Sequence, residues 1–449
     1  MSWYEESVCY QIYPLGLTGA PFENDHKLEH RLPKLLDGGW MQHLQKLGVS
    51  CVLLNPVFQS GTHGYDTIDF LRVDERLGTN DDLRAVVDAC HQAGMKVLLD
   101  TVFNHVGREF WAFKDVLEKG PQSSYANWFC INWDDESPYG DGFAYECWEG
   151  VSELVKLNHH DHSLNGYCAD VVRTWEREFD IDGLRLDVAY CLDRGFLGYL
   201  RSVTNELTGK RGQKFLMLGE TMFGDYNLWM GDGACDTVTN YECYKGLWSS
   251  MNEGNMHEIA YALKRQSGSD PWDLYTGKHL LNFLDNHDVA RIATQLKDKR
   301  HLKPLYGLLF GMCGVPCIYY GSEWGMEGEK RPGDRELRPA VERPEWNDLT
   351  DWIACLAAAK RASKALTHGS YQQVDVRPTA LAFLRECEDE RVLVAVNAGN
   401  EPVTFPTDAL APATTGAVLA TDMLTGDSCE CAATVEAQPF SCRFWKSAE

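Results

Sequence analysis

The strongest constraint on the fold of this chain is a repeating order of short apolar runs, loops and amphipathic stretches along most of its length. Strands that alternate with helices in this way are typical of parallel sheets covered by helices. Helix candidates include a segment that begins at Asn80 and stops at Gly94, and further segments at 163–179, 258–265 and 302–312. Strand candidates occupy residues 8–13, 49–54, 96–101, 183–188, 215–220, 237–241, 280–284 and 316–320. Eight such units predict an α/β fold, namely a (β/α)8 TIM barrel.

Two segments depart from this pattern. The long connection after the third strand is rich in aromatic residues, Gly, Asp and Ser, and a structureless loop of that length is improbable inside a compact domain. After residue 364 the helical period gives way to alternating stretches at 380–385 and 391–396, which indicates antiparallel strands. We therefore predict a catalytic barrel at 1–105 and 163–365, an insertion domain after strand 3 at 106–162, and a C-terminal antiparallel β-sandwich at 366–449.

Composition narrows the possible partners and the compartment. The formal net charge of −24 argues against nucleic acid or an anionic membrane as a partner, so we expect an uncharged substrate. No window approaches the roughly 20 apolar residues that a membrane span needs, and the N-terminus has no features of a secretion signal. The sixteen cysteines are scattered, which favours reduced thiols in a cytoplasmic protein. Cys429 and Cys431 form a lone C-x-C pair, which is weak evidence for a metal.

The fourth strand candidate, in GLRLDVAY, carries Arg185 and Asp187 two residues apart. In a strand these side chains point to the same face, so a guanidinium and a carboxylate would emerge together from an apolar element. Burying such a pair is costly unless its geometry is good. Two interpretations follow: an ion pair that fixes strand register, or a catalytic carboxylate held beside an arginine.

Polar residues end four of the predicted strands. Because the carboxyl ends of barrel strands converge on one face, where active sites are built, these residues would meet in one pocket. The segments resemble, in order, the signature regions of the α-amylase superfamily, glycoside hydrolase family 13. D-x-x-x-N-H is matched by Asp100, Asn104 and His105; G-x-R-x-D by Gly183, Arg185 and Asp187; G-E by Gly219 and Glu220; and F-x-x-x-H-D by Phe283, His287 and Asp288.

The resemblance implies catalytic roles. Asp187 would be the nucleophile that forms a covalent glycosyl-enzyme, and Arg185 would favour its ionised form. Glu220 would be the general acid and base, and desolvation after an apolar run would raise its pKa. Asp288 would stabilise the transition state. The implied outcome is retention of configuration.

The resemblance also implies substrate contacts. His105 and His287 would bind sugar hydroxyls, Tyr65 would stack on the sugar, and Asp100 would orient Arg185. Residues 155–158 resemble the M-P-K-L-N region of the cyclomaltodextrinase, neopullulanase and maltogenic amylase group, with valine in place of proline, and would bring Asn158 to the pocket. Further candidates are Met222 and Phe223 in a leaving-group subsite and His63 beside Tyr65. The insertion aromatics suit either sugar stacking or a small core; they are Trp128, Phe129, Tyr145 and Trp148.

Relatives in that group usually carry an extra N-terminal β domain, whereas this sequence begins at the first barrel strand, so we expect no dimer built through such a domain. Many α-amylases bind calcium through the asparagine that corresponds to Asn104. They have Lys-His where this chain has Tyr190 and Cys191, so we predict no cofactor and no structural calcium.

The predicted function is a retaining hydrolase of α-1,4 bonds in maltooligosaccharides or cyclodextrins. The alternatives are a glucan transglycosylase and a non-catalytic carbohydrate-binding protein.

Overall fold

Eight parallel strands form the centre of the molecule in a computed structural model that describes residues 2–410, 419–430 and 434–447. The spatial order is β6-β5-β4-β3-β2-β1-β8-β7, and a parallel bridge between Thr239 and Leu281 joins β6 to β7, which closes the barrel. This confirms the predicted TIM barrel. The strands are β1 Cys9–Ile12, β2 Cys51–Leu54, β3 Lys96–Thr101, β4 Gly183–Leu186, β5 Leu216–Gly219, β6 Thr237–Val238, β7 Leu281–Phe283 and β8 Val315–Tyr319.

Helices cover the outside of the barrel. Their ends follow local chemistry: Thr79 and Asp82 form a capping box at the start of α2, and Asp161 accepts the first free amide hydrogens of α3. No helix of the described residues is long and apolar enough to cross a bilayer. The main helices are α1 Trp40–Leu47, α2 Asn80–Gln92, α3 His162–Phe179, α4 Arg194–Arg211, α5 Tyr241–Glu253, α6 Met256–Ser267, α7 Leu302–Gly311 and α8 Asp348–Arg361; shorter ones are Pro14–Leu17, Lys34–Asp37, Trp111–Lys119, Ile292–Gln295 and Lys364–His368.

One barrel connection has no α-helix. Residues 220–236 are all described, and between β5 and β6 they form only a single 3-10 turn at Tyr226–Leu228. Gly224, Gly231 and Gly233 adopt positive φ values there, a conformation that an α-helix excludes. The expected strict alternation of strand and helix therefore fails at this place.

Two small β structures stand on the carboxyl face of the barrel. A hairpin of Phe58–Ser60 and Thr67–Val73 follows β2. The connection after β3 folds into a three-stranded antiparallel sheet that pairs Val151–Lys156 with both His105–Gly107 and Cys147–Trp148. Both structures rise beside the ends of the barrel strands.

The C-terminal part is a β-sandwich, as predicted. A six-stranded sheet in the order β9-β10-β11-β16-β13-β14 faces a two-stranded sheet of β12 and β15. One face of the large sheet joins the barrel core, and the other packs on Phe405 and Val435. Within the predicted range 366–449, residues 411–418, 431–433 (including Cys431) and 448–449 lie outside the described residues. The strands are β9 Ser370–Arg377, β10 Ala380–Cys387, β11 Glu390–Asn397, β12 Val403–Pro406, β13 Leu419–Asp422, β14 Ser428–Glu430, β15 Thr434–Ala437 and β16 Ser441–Ser447.

Candidate active site

A cleft of about 650 Å³ lies at the carboxyl ends of the barrel strands. It brings together the three acids that the sequence analysis selected: Asp187, which directly follows β4, Glu220, which follows β5, and Asp288 beyond β7. The other lining residues are His63, Tyr65, His105, Trp148, Glu149, Val151, Leu154, Val188, Tyr190, Met222, Phe223, Tyr241, Val289, Lys330, Asp334 and Arg338.

Arg185 is the centre of the buried polar network beneath the cleft. Its Nη1 donates to Asp187 Oδ1 at 2.9 Å and to both carboxylate oxygens of Asp100 at 2.7 and 2.9 Å. Its Nη2 lies 2.7 Å from Glu220 Oε1. One guanidinium therefore contacts both Asp187 and Glu220, while Asp100 fixes its orientation. The pair that was an anomaly in the strand pattern is part of a larger charge cluster.

The pKa values of Asp187 and Glu220 are both shifted upward. Burial raises the pKa of Asp187 well above its ordinary value, and Arg185 opposes this shift while the neighbouring carboxylates add to it. Burial also raises the pKa of Glu220, again against Arg185. The expected contact between Arg185 and Asp187 is present, but it does not by itself keep the pKa of Asp187 low. Three carboxyl groups that contact one guanidinium favour the retention of a proton.

The pKa of Asp288 is shifted downward instead. Burial alone would raise the pKa of Asp288, but His287, Arg338 and Arg185 lower it below the ordinary value. Asp288 Oδ2 lies 3.0 Å from His287 Nε2, and Oδ1 accepts a hydrogen bond of 3.0 Å from Arg338 Nη2. Asp288 is therefore held ionised, whereas Asp187 and Glu220 bind protons more readily.

The floor of the cleft is a continuous chain of hydrogen bonds. Tyr65 Oη donates to Asp100 Oδ2 at 2.9 Å and contacts His287 Nε2, and the Tyr65 and His287 rings stack at 5.5 Å. Asn55 donates from Nδ2 to Asp100 Oδ2 at 2.9 Å, and its Oδ1 accepts a hydrogen bond from Gln11 Nε2. These contacts hold Tyr65 and His287 in place at the floor of the cleft.

His105 presents an unsatisfied nitrogen. Its Nε2 is buried without a protein partner, while Nδ1 contacts Asn104 Nδ2 at 3.1 Å. Burial, together with His63, lowers the pKa of His105 to about 3, so the imidazole is neutral. A neutral ring nitrogen on the cleft wall suits a hydrogen bond with a neutral ligand.

The sequence of residues 39–368 matches the family model described as the α-amylase catalytic domain. The chain belongs to the α-amylase family. It is a glycoside hydrolase, as the strand-end motifs predicted. The four motifs and the connection after β3 all lie within the matched residues.

Named relatives of this α-amylase family protein come from the predicted group. Cyclomaltodextrinase from Bacillus sp. is 32% identical over 424 residues, which make up 88% of this chain and 73% of that protein. Neopullulanase 2 from Thermoactinomyces vulgaris is 30% identical over 425 residues, 90% of this chain and 71% of that protein. The solved structure of cyclic α-maltosyl-(1→6)-maltose hydrolase from Arthrobacter globiformis has a TM-score of 0.83 at 26% identity, and the match covers 100% of both chains.

The aromatic candidates of this α-amylase family chain divide into two sets. Trp148 lines the cleft, and Met222 and Phe223 form an exposed rim there. Tyr190 packs beside Phe223 with ring centroids 5.0 Å apart. The other three insertion aromatics pack within the insertion instead, in edge contacts with neighbouring rings: Trp128 with Trp111, and Phe129 and Tyr145 with Phe113.

The structure does not bring Asn158 to the lining of the cleft. Its side-chain amide donates to the Asn127 carbonyl at 2.9 Å, and its Oδ1 accepts from the amide of His160. Asn158 therefore holds the turn before α3 and does not line the cleft.

Three residues that were not selected from the sequence contact the cleft acids directly. Arg338 binds Asp288 and lies over the Tyr13 ring at 4.7 Å. Tyr241 Oη contacts Glu220 Oε1 at 3.5 Å, and the amide of Val188 donates to Glu220 Oε2 at 2.9 Å. Val188 has φ +38°, a left-handed conformation that is strained for a β-branched residue. No sequence pattern marked these three, although Val188 directly follows a predicted catalytic acid.

Proposed function

We propose that this enzyme is a retaining α-glucan hydrolase that cleaves α-1,4 bonds of maltooligosaccharides or cyclodextrins through a covalent glycosyl-enzyme. The observation that carries the proposal is the position of Asp187 and Glu220 on two nitrogens of one guanidinium, with Asp288 in the same cleft. Retaining glycosidases need two carboxyl groups within about 5–5.5 Å, one nucleophilic and one acidic.

In the first step, an oxygen of Asp187 attacks the anomeric carbon while Glu220 gives its proton to the glycosidic oxygen, which leaves with the bond electrons. The raised pKa of Glu220 suits it to hold that proton. Arg185 opposes the rise in the pKa of Asp187 and thereby favours the nucleophilic form.

In the second step, Glu220 takes a proton from water, and the hydroxide attacks the anomeric carbon. The ester bond to Asp187 breaks, and two inversions give net retention. Asp288 is held ionised by His287 and Arg338 and would stabilise the oxocarbenium-like charge. The free Nε2 of His105 would bind a sugar hydroxyl, and Phe223 and Trp148 would contact sugar faces.

A second candidate substrate is a cyclic tetrasaccharide with alternating linkages. The relative named for hydrolysis of cyclic α-maltosyl-(1→6)-maltose matches this chain over 100% of both lengths, whereas the Bacillus cyclomaltodextrinase matches over 73% of its own. Transfer of the glycosyl group to a sugar hydroxyl is a further outcome of the same intermediate.

A reducing compartment would suit the fifteen described cysteines, which are all unpaired thiols.

The test compares β-cyclodextrin, maltoheptaose, pullulan and cyclic α-maltosyl-(1→6)-maltose as substrates of wild type and Glu220→Gln, with Glu178→Gln on the surface of α3 as control. We expect α-anomeric products by NMR, and a loss of turnover of about 10²- to 10⁴-fold in Glu220→Gln alone. β-Anomeric products would exclude retention. Folded wild type without products from any substrate would refute the proposal, and longer products would favour the transferase.

A further inference from the structure

A second cluster of potential ligands lies at the opposite, amino-terminal end of the barrel. Glu5, His279 and His368 each bring one ligand atom within 4.8 Å of the others, and no other such trio is found among the described residues. Glu5 lies in the 3-10 turn Trp3–Glu6, His279 lies just before β7, and His368 ends the short helix Lys364–His368. The three elements are far apart in sequence and meet only through the fold.

His368 has the surroundings of a metal ligand. Its Nε2 lies 3.1 Å from Glu6 Oε1, and its Nδ1 faces Glu5 Oε2 at 3.8 Å. A hydrogen bond from Nε2 to Glu6 leaves the lone pair of Nδ1 directed at the cluster. Histidines that bind metals commonly donate their second ring nitrogen to a carboxylate in this way, which fixes the tautomer.

His279 supplies an independent observation. Its Nδ1 is buried and has no partner, although buried polar atoms normally find one. Its ring lies 5.6 Å from the ring of His368 at an angle of 70°. His279 therefore places an unpartnered imidazole nitrogen beside the second histidine of the cluster.

We propose that Glu5, His279 and His368 bind one divalent transition-metal ion, with Zn²⁺ favoured. Two imidazole nitrogens and one carboxylate are a zinc donor set, whereas calcium prefers oxygen ligands alone. A cavity of about 850 Å³ lined by Glu6 and His368 lies beside the cluster and gives ions and water access to it.

The ion would join three distant parts of the chain. It would tie the N-terminal turn to the approach to β7 and to the helix that precedes the C-terminal sandwich. Because such a link exists only in the folded chain, binding would raise the melting temperature. The site lies at the other end of the barrel from the cleft, so hydrolysis by the native enzyme would not depend on the ion for chemistry.

The experiment titrates metal-depleted full-length protein with Zn²⁺, Co²⁺ or Ca²⁺. We expect one equivalent of Zn²⁺ per chain, a rise in melting temperature with Zn²⁺ but not Ca²⁺, and visible Co²⁺ absorption bands of a low-coordinate site. His279→Ala and His368→Asn should abolish stoichiometric binding, and Glu6→Gln should weaken it about 10- to 100-fold. The control His160→Ala removes an exposed histidine and should bind normally.

Circular dichroism establishes that each variant is folded, and His368→Asn serves as the second variant if His279→Ala does not fold. Absence of saturable Zn²⁺ binding by wild type would overturn the proposal. So would binding that persists unchanged in both histidine variants, since the acidic surface would then hold the ion. Because the readouts are metal content, spectra and melting temperature, the result is independent of hydrolysis.

Discussion

Three acids share one cleft but have different electrostatic surroundings. Asp288 is held ionised by Arg338 and His287, while burial raises the pKa of Asp187 and Glu220. The opposite shifts distinguish Asp288, which stays ionised and can stabilise positive charge, from Asp187 and Glu220, which bind protons more readily.

The pKa directions predict a bell-shaped pH dependence of kcat/KM. In the proposed mechanism Asp187 must be ionised, so activity would be lost as pH falls through its raised pKa. Glu220 must be protonated in that mechanism, so activity would be lost as pH rises through its raised pKa. Both limbs should lie above the ordinary carboxyl values of about 3.9 and 4.3. Initial rates on maltoheptaose across pH check this. Full activity below pH of about 4 would contradict it.

Arg338 provides a direct test of Asp288. Arg338→Ala should lower kcat/KM on maltoheptaose by about 10- to 100-fold, because it removes the charge partner of a partly buried carboxylate. Arg335→Ala, three positions earlier on the same loop, is the matched control and should remain close to wild type. If both substitutions lowered kcat/KM equally, a change in the loop, rather than the loss of the Asp288 contact, would explain the lower activity.

The signature motifs located Asp187, Glu220, Asp288 and the residues beneath them because each lies at the end of an apolar strand, where a polar residue is conspicuous. Arg338 lies in an irregular loop after β8, where charged residues are ordinary, so no pattern distinguishes it from its neighbours. Asn158 shows the converse case. A motif names a residue, but local hydrogen bonds decide where its side chain points.

Among the elements, β4 shows why one motif begins with glycine. A Cβ atom at Gly183 would meet the Leu216 carbonyl oxygen at 2.4 Å, Leu216 Cβ at 2.8 Å and Leu98 Cδ2 at 2.8 Å. The neighbouring strands β3 and β5 thus leave no room for a side chain. The tight approach places Arg185, two residues later, between the two strands.

Gly183→Ala should therefore destabilise the enzyme by about 1–3 kcal/mol through overpacking. Gly166→Ala in α3 has open space around the new methyl group and should stabilise it by about 0.5–1 kcal/mol, because glycine is a poor helix former. Melting temperatures measured by calorimetry should move in opposite directions. A shift of the same sign for both would contradict the packing argument.

The strand positions were predictable because buried parallel strands are nearly continuous apolar runs. The absence of a helix between β5 and β6 was not predictable, because the alternation of strands and helices is expected to continue through this glycine-rich segment. The strand predicted at 183–188 is also too long, because β4 ends at Leu186 and a left-handed turn follows at Val188. Single β-branched residues in that conformation are too rare to predict from sequence.

In the molecule as a whole, barrel and sandwich share a core. Arg385 of β10 is 1% exposed and donates to the carbonyls of Gly311 at 2.8 Å, Gly369 at 2.9 Å and Ser370 at 3.2 Å. Gly311 ends α7, so this side chain links the sandwich to the barrel wall. The long-range partners of such a residue cannot be inferred from its neighbours in sequence.

Arg385→Met keeps much of the side-chain volume but removes two buried hydrogen bonds and one partly buried hydrogen bond to main-chain carbonyls, so it should destabilise the enzyme by about 3–5 kcal/mol. Arg377→Met on β9 removes an exposed arginine and is the control, with an expected change within about 0.5 kcal/mol. Calorimetry should show one transition for wild type and a lower melting temperature for Arg385→Met. An unchanged melting temperature would show that the two parts are stabilised independently.

The arrangement around Arg185 has a consequence for the response to salt. In the proposed mechanism Asp187 loses its negative charge when it becomes an ester, and Glu220 gains one by releasing its proton. The charge therefore moves between two partners of one guanidinium. No net charge is created, and the proposed sugar carries none. Despite a net charge of −24, kcat/KM should stay within about twofold from low salt to 0.5 M NaCl, although the Debye length shortens several-fold over that range. A steep salt dependence of initial rates would mean that the reaction moves charge to groups that Arg185 does not contact.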